Sequence, residues 1–151
     1  MSDTTTQAAR KLVIRRTFAA PRARVWEAWT KPDQMQRWAG PGPVVAKELQ
    51  ADVRVGGAYR IVMQPPDDEA MTVFGTYRVV QPPERLSYTW SWEEDKPEDQ
   101  IETLITVEFH DRGDKTEVVL THEGFSSEES RGNHERGWTG ALDKMEAQLA
   151  A

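Results

Sequence analysis

The sequence contains no cysteine, which excludes disulfide bonds, thiolate metal ligands and a cysteine nucleophile. It also contains no run of roughly eighteen apolar residues, the length that a membrane-spanning helix needs. The start of the chain, from Met1 to Arg10, is polar and lacks the apolar core of a signal peptide. Because a chain without cysteine suits a reducing compartment, we predict a cytoplasmic protein that does not associate with a membrane.

Basic residues are not in excess either. The 151 residues include 19 lysines and arginines against 25 aspartates and glutamates, which gives a formal net charge of −6. A negative net charge provides no general attraction to phosphate backbones, so no nucleic acid partner is expected. The sequence also lacks a P-loop, a dinucleotide-binding fingerprint and a nucleophile elbow, so no cofactor is predicted.

What is present fits one folded domain with one core. Residues 1–10 have too little apolar content to pack and predict a disordered tail, whereas residues 11–151 predict the domain itself. Its first element is a strand, since the stretch from Leu12 to Phe18 is rich in β-branched residues. Apolar spacing then predicts two short helices, over Pro21–Thr30 and Asp33–Trp38.

From Val44 to Glu123 the apolar residues recur at every second position, which is typical of β-strands. Glycine, proline and aspartate separate the strands, as chain reversals require, and an acidic run from Glu93 to Asp99 predicts a solvated loop. The predicted strands are Val45–Leu49, Ala58–Gln64, Met71–Val80, Arg85–Trp92, Ile101–His110 and Lys115–Glu123. No helix connects them, so together with the first strand they predict an antiparallel sheet of about seven strands.

The end of the chain predicts one long helix. Ser126 is a candidate N-cap, and Glu128 and Glu129 would favour the first turn through the helix dipole. The apolar stripe of this helix comprises His134, Trp138, Ala141, Leu142, Met145 and Leu149. Such a stripe has to be buried, and the sheet is the only partner of matching size. The sequence therefore predicts an α+β fold in which a curved antiparallel sheet wraps around a long C-terminal helix.

Several short stretches occur together, in order, from about residue 12 to the C-terminus. They are Phe18-Ala19-Ala20-Pro21 with Val25, Ala28, Trp29 and Thr30; Arg37-Trp38-Ala39-Gly40-Pro41; Asp52-Val53-Arg54-Val55-Gly56-Gly57; Gly75-Thr76-Tyr77-Arg78 with Pro82-Pro83-Glu84-Arg85-Leu86; Thr121-His122-Glu123-Gly124-Phe125; and His134 with Gly137-Trp138 and Leu142. In this combination the chain resembles the heat-shock-protein ATPase activator homologue family of the START-like, or polyketide-cyclase-like, superfamily. The resemblance implies a helix-grip fold with a central cavity.

The chain departs from that family at Ala39, where such proteins often carry a second tryptophan. The smaller side chain would enlarge or reshape the mouth of the implied cavity. In the members that activate the chaperone the domain is one of two, and nothing in this sequence corresponds to the other. A chaperone partner is therefore not expected, and a homodimer is left open.

Inward-facing side chains of the sheet and of the last helix are candidate ligand contacts. Strand alternation decides which side chains point inward. The chain has six tryptophans, and large flat side chains suit both a core and an apolar binding site. The predicted lining of the cavity comprises Trp38, Tyr59, Met63, Phe74, Trp90, His122, Trp138 and Leu142. For each of these residues, packing in the core is the alternative interpretation.

Two histidines are candidates for acid–base chemistry. His122 is inward by strand alternation and His134 begins the stripe of the last helix, so both could enter the cavity as hydrogen-bond donors or as a general base. The alternative is that each is a structural histidine whose ring nitrogens are satisfied by neighbouring groups. No metal site is predicted, because His110 points outward and the three histidines show no metal-ligand spacing.

Three functions remain open from the sequence. The first is a binding module that holds a small hydrophobic or aromatic molecule in the cavity. The second is an enzyme of cyclase or hydrolase type that uses the same cavity, with His122 or His134 as the acid or base. The third is a protein-interaction module, by analogy with the chaperone activators, which predicts an exposed apolar patch outside the cavity.

Overall fold

A computed structural model of the chain describes residues 10–94 and 101–150. The predicted disordered tail, residues 1–10, lies outside the described residues except for Arg10. Positions 95–100, which include most of the predicted acidic loop, also lie outside them.

Strands and helices follow one another in the predicted order. They are β1 (Lys11–Phe18), α1 (Arg22–Thr30), α2 (Pro32–Trp38), β2 (Val45–Ala51), β3 (Ala58–Gln64), β4 (Met71–Gln81), β5 (Arg85–Trp92), β6 (Thr103–Arg112), β7 (Lys115–Glu123) and α3 (Glu128–Ala150). The strands form one antiparallel sheet in the order β1-β7-β6-β5-β4-β3-β2. The predicted α+β class is therefore confirmed, with its seven-stranded antiparallel sheet, two short helices and long C-terminal helix.

The sheet has two places where the strand register shifts by one residue. One lies in β2, between Ala46 and Glu48, and the other in β4, between Tyr77 and Val79. A bulge of this kind bends its strand and increases the local twist. Bends in β2 and β4 help one face of the sheet to become concave.

The N-cap of helix α3 lies one residue later than predicted. The hydroxyl group of Ser127 accepts a hydrogen bond of 3.0 Å from the backbone N–H of Ser130, so Ser127 is the N-cap and not Ser126. The acidic side chains of Glu128 and Glu129 occupy the first turn, as predicted. The helix then buries one stripe, formed by Trp138, Ala141, Leu142, Met145 and Leu149. No helix in the described residues has the length and apolar character needed to cross a membrane.

The core lies between this stripe and the concave face of the sheet. Among its side chains, Leu86, Ile105 and Leu120 come from three neighbouring strands and are completely buried. Each large apolar side chain that is fully buried contributes about 1.5–3 kcal/mol of transfer free energy. Truncating Leu120 to alanine would therefore cost about 2–5 kcal/mol, because a cavity would add to the lost transfer term.

Strand β4 corrects one of the predicted inward positions. Its pairing with β3 sets Val73 opposite Ile61, and Phe74 opposite Arg60. Since paired residues of an antiparallel ladder share a face, Val73 lies on the concave side with Ile61, and Phe74 lies on the outer side with Arg60. The prediction that Phe74 faces the cavity is therefore wrong, and its neighbour Val73 faces inward instead.

Candidate functional site

A cavity of about 420 Å³ lies between the concave face of the sheet, helix α2 and helix α3. None of the described residues that line it is an aspartate, glutamate, lysine or arginine. Its lining is instead built from aromatic rings, methionines and small aliphatic groups. A volume of this size falls within the range of pockets that hold small organic molecules.

Tryptophan rings form the helix side of the cavity. The ring centroid of Trp29, on α1, lies 4.7 Å from that of Trp38, at the end of α2, and 5.9 Å from that of Trp138, on α3. The ring of Trp90, on β5, lies 5.4 Å from that of Trp138. The indole N–H of Trp38 donates a hydrogen bond of 2.7 Å to the carbonyl of Ala28. This bond fixes α2 against α1 and keeps the face of the Trp38 ring at the cavity.

Three tyrosines form the sheet side. The rings of Tyr59, Tyr77 and Tyr88 belong to adjacent strands, with centroids between 5.4 Å and 5.7 Å apart. The hydroxyl group of Tyr59 donates a hydrogen bond of 2.5 Å to the backbone carbonyl of Thr89. That carbonyl approaches Gly75 so closely that a Cβ there would lie only 2.1 Å from the oxygen. Burial raises the pKa of all three tyrosines, so their hydroxyl groups keep their protons at neutral pH.

His122 is completely buried beside the cavity, at the sheet end of a chain of hydrogen bonds. Its Nδ1 accepts a hydrogen bond of 3.0 Å from the indole N–H of Trp138, and its Nε2 lies 2.7 Å from the hydroxyl oxygen of Thr103. Thr103 in turn donates to the backbone carbonyl of Trp90. Because Nδ1 and the Thr103 oxygen both act as acceptors here, the proton of His122 lies on Nε2. Burial and the nearby His134 lower the pKa of His122 to about 2.

His134 is half-buried and lines the cavity itself. Its Nδ1 lies 2.8 Å from the backbone carbonyl of Ser130, to which it donates, and its Nε2 accepts a hydrogen bond of 3.0 Å from the indole N–H of Trp92. Burial lowers the pKa of His134, so this ring is also neutral at neutral pH. All four ring nitrogens of His122 and His134 are therefore occupied by protein partners.

The mouth of the cavity lies at the start of β4 and the first half of α3. Met71 and Asn133 line the cavity but are exposed, with Met71 48% exposed, and the ring of Trp92 is half-buried beside them. The opposite rim is the loop after α2, which contributes Gly40 and Pro41. The cavity is thus reached from the side on which α3 begins.

Two contacts hold that loop against α3. Gly140 lies so close to Pro41 that a Cβ at Gly140 would be 2.8 Å from the Cβ of Pro41. One turn further on, Nζ of Lys144 donates to the backbone carbonyls of Gly42 at 3.3 Å and Val44 at 2.9 Å. The rim of the cavity is therefore fixed by a small residue and a cation on the same face of the helix.

The predicted site residues divide into two groups. Those that line the cavity are Trp38, Tyr59, Met63, Trp90, Trp138 and the candidate base His134. Those that do not are Phe74, on the outer face; His122, sealed behind Trp138; and Leu142, which is buried in the core of α3. Whether the first group binds a ligand remains a prediction.

Tyr77 and Tyr88 are among the lining residues that the sequence does not predict as ligand contacts. Tyr88 alternates with polar residues in β5 and lies two positions from Trp90, and Tyr77 lies on the same face of β4 as Val73, so their spacing indicates that both face inward. Among the described residues, no group of three or more histidine, aspartate or glutamate side chains has the arrangement of a metal site.

The fold matches solved bacterial structures. A solution structure from Arthrobacter aurescens is 25% identical, with a TM-score of 0.84, and the match covers 95% of this chain and 87% of that one. A crystal structure from Silicibacter pomeroyi is 26% identical, with a TM-score of 0.82 and coverage of 93% and 97%. A protein from Chromobacterium violaceum, 24% identical with a TM-score of 0.83 over 93% and 98%, shares the fold.

The family comparison covers most of the chain. No curated protein matches the sequence. The model of the family described as "Activator of Hsp90 ATPase homolog 1-like protein" matches residues 19–150, which include both short helices, the tyrosines and tryptophans of the cavity, and α3. This chain therefore belongs to the family of proteins that resemble activator of Hsp90 ATPase homolog 1.

Proposed function

We propose that this protein binds a small apolar or aromatic molecule in the cavity between its sheet and helix α3. The observation that carries the proposal is the aromatic and uncharged lining around a volume of about 420 Å³. A fully packed interior would leave no space of this size, because protein cores are close-packed. A surface groove would not have such a lining, because charged side chains are common on protein surfaces. Apolar surface of a ligand buried here would contribute about 25 cal/mol per Å².

An enzyme that uses either histidine as a general base receives less support. A general base needs a free lone pair within reach of the proton that it removes. In His122 that lone pair accepts from Trp138, and in His134 it accepts from Trp92. Both bonds would have to break before either ring could accept a proton from a substrate. The histidines therefore suit the support of the cavity better than catalysis in it.

A protein-interaction surface receives less support as well. In the described part of the chain, the exposed large apolar residues are Val13, Val45, Val55, Met71 and Ile101. They are distributed over β1, β2, the turn before β3, the start of β4 and the segment before β6. Such a distribution favours the enclosed cavity over an exposed patch as the site of binding.

We also propose a cytoplasmic location, which rests on the absence of cysteine.

The test fills the cavity without removing any contact. Ala141 lines the cavity and is buried on α3, whereas Ala147 is exposed on the same helix. Ala141→Leu should abolish saturable binding or weaken it by at least tenfold, and Ala147→Leu should leave it unchanged, since leucine suits a helix at both positions. Native mass spectrometry of the purified protein would detect retained ligand, and tryptophan fluorescence would follow titration with aromatic and acyl compounds.

Two results would contradict the proposal. One is the absence of any bound or saturable compound across the panel with the folded wild-type protein. The other is binding that Ala141→Leu leaves unchanged while the variant keeps its circular dichroism spectrum and its melting temperature. In either case the exposed surfaces would become the site to examine, by pull-down of a protein partner.

A further inference from the structure

We propose that the ligand is an uncharged ring compound with a hydrogen-bond acceptor, such as a ketone, quinone, ester or amide carbonyl, which the hydroxyl groups of Tyr77 and Tyr88 bind. This inference rests on the proposed function, because it names the chemical class of the molecule in the same cavity. Its basis is a surplus of hydrogen-bond donors in the lining, together with the absence of charge there.

Most polar side chains of the lining already have partners. The indole groups of Trp38, Trp92 and Trp138 donate to acceptors within the protein, and so does the hydroxyl group of Tyr59. The buried lining side chains whose donors have no acceptor in the described residues are Tyr77 and Tyr88, through their hydroxyl groups, and Trp29 and Trp90, through their indole N–H groups. The amide group of Asn133, at the mouth, is exposed instead. Unpaired donors in an apolar interior are unusual and costly.

These donors differ in their access to the cavity. The indole nitrogens of Trp29 and Trp90 are sealed, since neither has accessible surface. The hydroxyl groups of Tyr77 and Tyr88 are not among the sealed atoms, although the two residues are only 2% and 7% exposed. Because both residues line the cavity, the surface that their hydroxyl groups retain belongs to it. Two O–H donors are therefore available to a molecule inside.

Acceptors are scarce in the same lining. The side-chain oxygen of Asn133 accepts from Arg136, and Nε2 of His134 accepts from Trp92. The ligand would consequently have to supply the acceptor, and a carbonyl oxygen can accept from two hydroxyl groups at once. Burial holds the pKa of both tyrosines above the usual range, so they donate at neutral pH.

The absence of a cation selects against acids. A carboxylate brought into this cavity would lose its water and find no lysine or arginine among the described lining residues. The hydroxyl groups of Tyr77 and Tyr88 could donate to the carboxylate, but no cation would neutralise its charge, so its desolvation still costs several kcal/mol, which is comparable to the free energy that a small ligand gains by binding. Neutral carbonyl compounds do not carry that cost. The same lining therefore predicts discrimination between a ketone and an acid of equal size.

The position of the tyrosines predicts how the ligand is oriented. On β3, Tyr59 lies four residues before Met63, and Met63 pairs with Met71 at the mouth. At about 3.3 Å per residue the tyrosine end is therefore roughly 13 Å deeper along the strand. The carbonyl would lie at this inner end, and the apolar rings would extend past Trp138 toward the mouth.

Three naphthalene derivatives with the same number of non-hydrogen atoms form a matched set of probes. They are 2-acetylnaphthalene, a ketone; 2-isopropylnaphthalene, a hydrocarbon; and 2-naphthoic acid, which is ionised at pH 7. Dissociation constants would be measured by calorimetric titration with the wild-type protein and with Tyr77→Phe, Tyr88→Phe and the double variant. Ala147→Leu is the control, because Ala147 is exposed on α3 and does not line the cavity.

We expect each of Tyr77→Phe and Tyr88→Phe to weaken binding of the ketone by about five- to tenfold, the value of one neutral hydrogen bond. Binding of the hydrocarbon should stay the same or become stronger in these variants. The wild-type protein should bind the acid at least tenfold more weakly than the ketone. Ala147→Leu should leave the affinities for the ketone and for the hydrocarbon unchanged.

The outcomes separate this inference from the proposed function. If the phenylalanine variants bind ketone and hydrocarbon in the wild-type ratio, the role of the two hydroxyl groups is refuted, although hydrocarbon binding would still support the cavity as a binding site. If the acid binds as tightly as the ketone, the selection for neutral ligands is refuted. If none of the three probes binds the folded wild-type protein, the inference is refuted, and the wider panel of aromatic and acyl compounds then decides whether the proposed function fails as well.

Discussion

The indole N–H of Trp138 donates a hydrogen bond of 3.0 Å to Nδ1 of His122 and so ties helix α3 to strand β7 behind the cavity. The same histidine donates through Nε2 to Thr103, which donates to the backbone carbonyl of Trp90. Each buried polar group in this hydrogen-bond network is the partner of the next, so the loss of one bond weakens the others. His122 therefore fixes the tryptophan that separates it from the cavity.

The two histidines should have opposite neutral tautomers. His122 carries its proton on Nε2, because Nδ1 accepts from Trp138, and His134 carries its proton on Nδ1, because Nε2 accepts from Trp92. Long-range proton–nitrogen correlation spectra at pH 7 distinguish the two tautomers through the chemical shifts of the ring nitrogens. Trp92→Phe should alter the ring signals of His134 and leave those of His122 in the Nε2–H pattern. A positively charged ring at either position at pH 7 would contradict the arrangement.

Stability should fall in acid because of these rings. The pKa of His122 is lowered to about 2 in the folded protein, whereas an unfolded histidine has a pKa of about 6.5. Below about pH 6.5, His122 is therefore protonated in the unfolded chain but not in the folded protein. The free energy of unfolding consequently decreases as pH falls. His122 alone accounts for about 1.4 kcal/mol per pH unit within this window. His134, whose pKa is also lowered by burial, acts in the same direction.

Urea unfolding between pH 7 and pH 4.5 would measure this dependence, with His122→Gln as the matched variant. Glutamine can accept from Trp138 and donate to Thr103, but it does not titrate. We expect the variant to be less stable at pH 7 by about 1–2 kcal/mol, the value of imperfect buried hydrogen bonds. Its slope against pH should be lower by up to about 1.4 kcal/mol per unit. Equal slopes in the two proteins would show that His122 is protonated in the fold.

The fold could be predicted from the sequence because large apolar residues recur at alternate positions in most of the strands. Tyr59, Ile61 and Met63 recur at every second position of β3, with Arg60 and the smaller Val62 between them, so the larger side chains mark a common face. Strand β4 has apolar residues on both faces, with Val73 and Tyr77 inside and Phe74 outside. One large aromatic residue in such a strand does not identify the buried side.

The hydrogen bonds of the site could not be predicted in the same way. The pair of His122 with Trp138 and the pair of His134 with Trp92 join residues that are distant in the sequence, and each depends on how α3 sits over the sheet. The choice of Ser127 over Ser126 as N-cap depends on backbone geometry that two adjacent serines do not reveal. Periodicity predicts which face is buried, and it carries no information on which buried donors find acceptors.

Gly75 should tolerate no side chain, because β5 approaches it too closely. A Cβ at this position would lie 2.1 Å from the carbonyl oxygen of Thr89 and 2.7 Å from its carbon, and these backbone atoms belong to a paired strand. We expect Gly75→Ala to destabilise the protein by about 2–4 kcal/mol and to disrupt the bond from Tyr59 to Thr89. Thr76→Ala, at the neighbouring exposed position, should cost less than about 1 kcal/mol in the same urea unfolding experiment. Equal costs for the two variants would contradict the close approach.

Gly137 and Gly140 provide a comparison within one helix. A Cβ at Gly137 would meet no atom within 4 Å, whereas a Cβ at Gly140 would lie 2.8 Å from the Cβ of Pro41 and 3.2 Å from its Cα. Both glycines are in the interior of α3, where alanine is favoured by about 0.8–1 kcal/mol. Gly137→Ala should therefore raise the melting temperature. At Gly140 the same gain is offset, because the loop that forms the rim of the cavity has to move.

We expect Gly140→Ala to be less stable than Gly137→Ala by at least about 1 kcal/mol, which corresponds to roughly 2–4 °C for a domain of this size. Displacement of Pro41 should also weaken the bond from Lys144 to the carbonyl of Val44. Hydrogen exchange at the backbone N–H of Val44, which donates to Pro41, should then be faster in Gly140→Ala and unchanged in Gly137→Ala. If the two variants have the same melting temperature and the same exchange rate at Val44, Pro41 moves without a measurable loss of stability. The contact between Gly140 and Pro41 would then not be needed to hold the rim, and Lys144 alone would hold it.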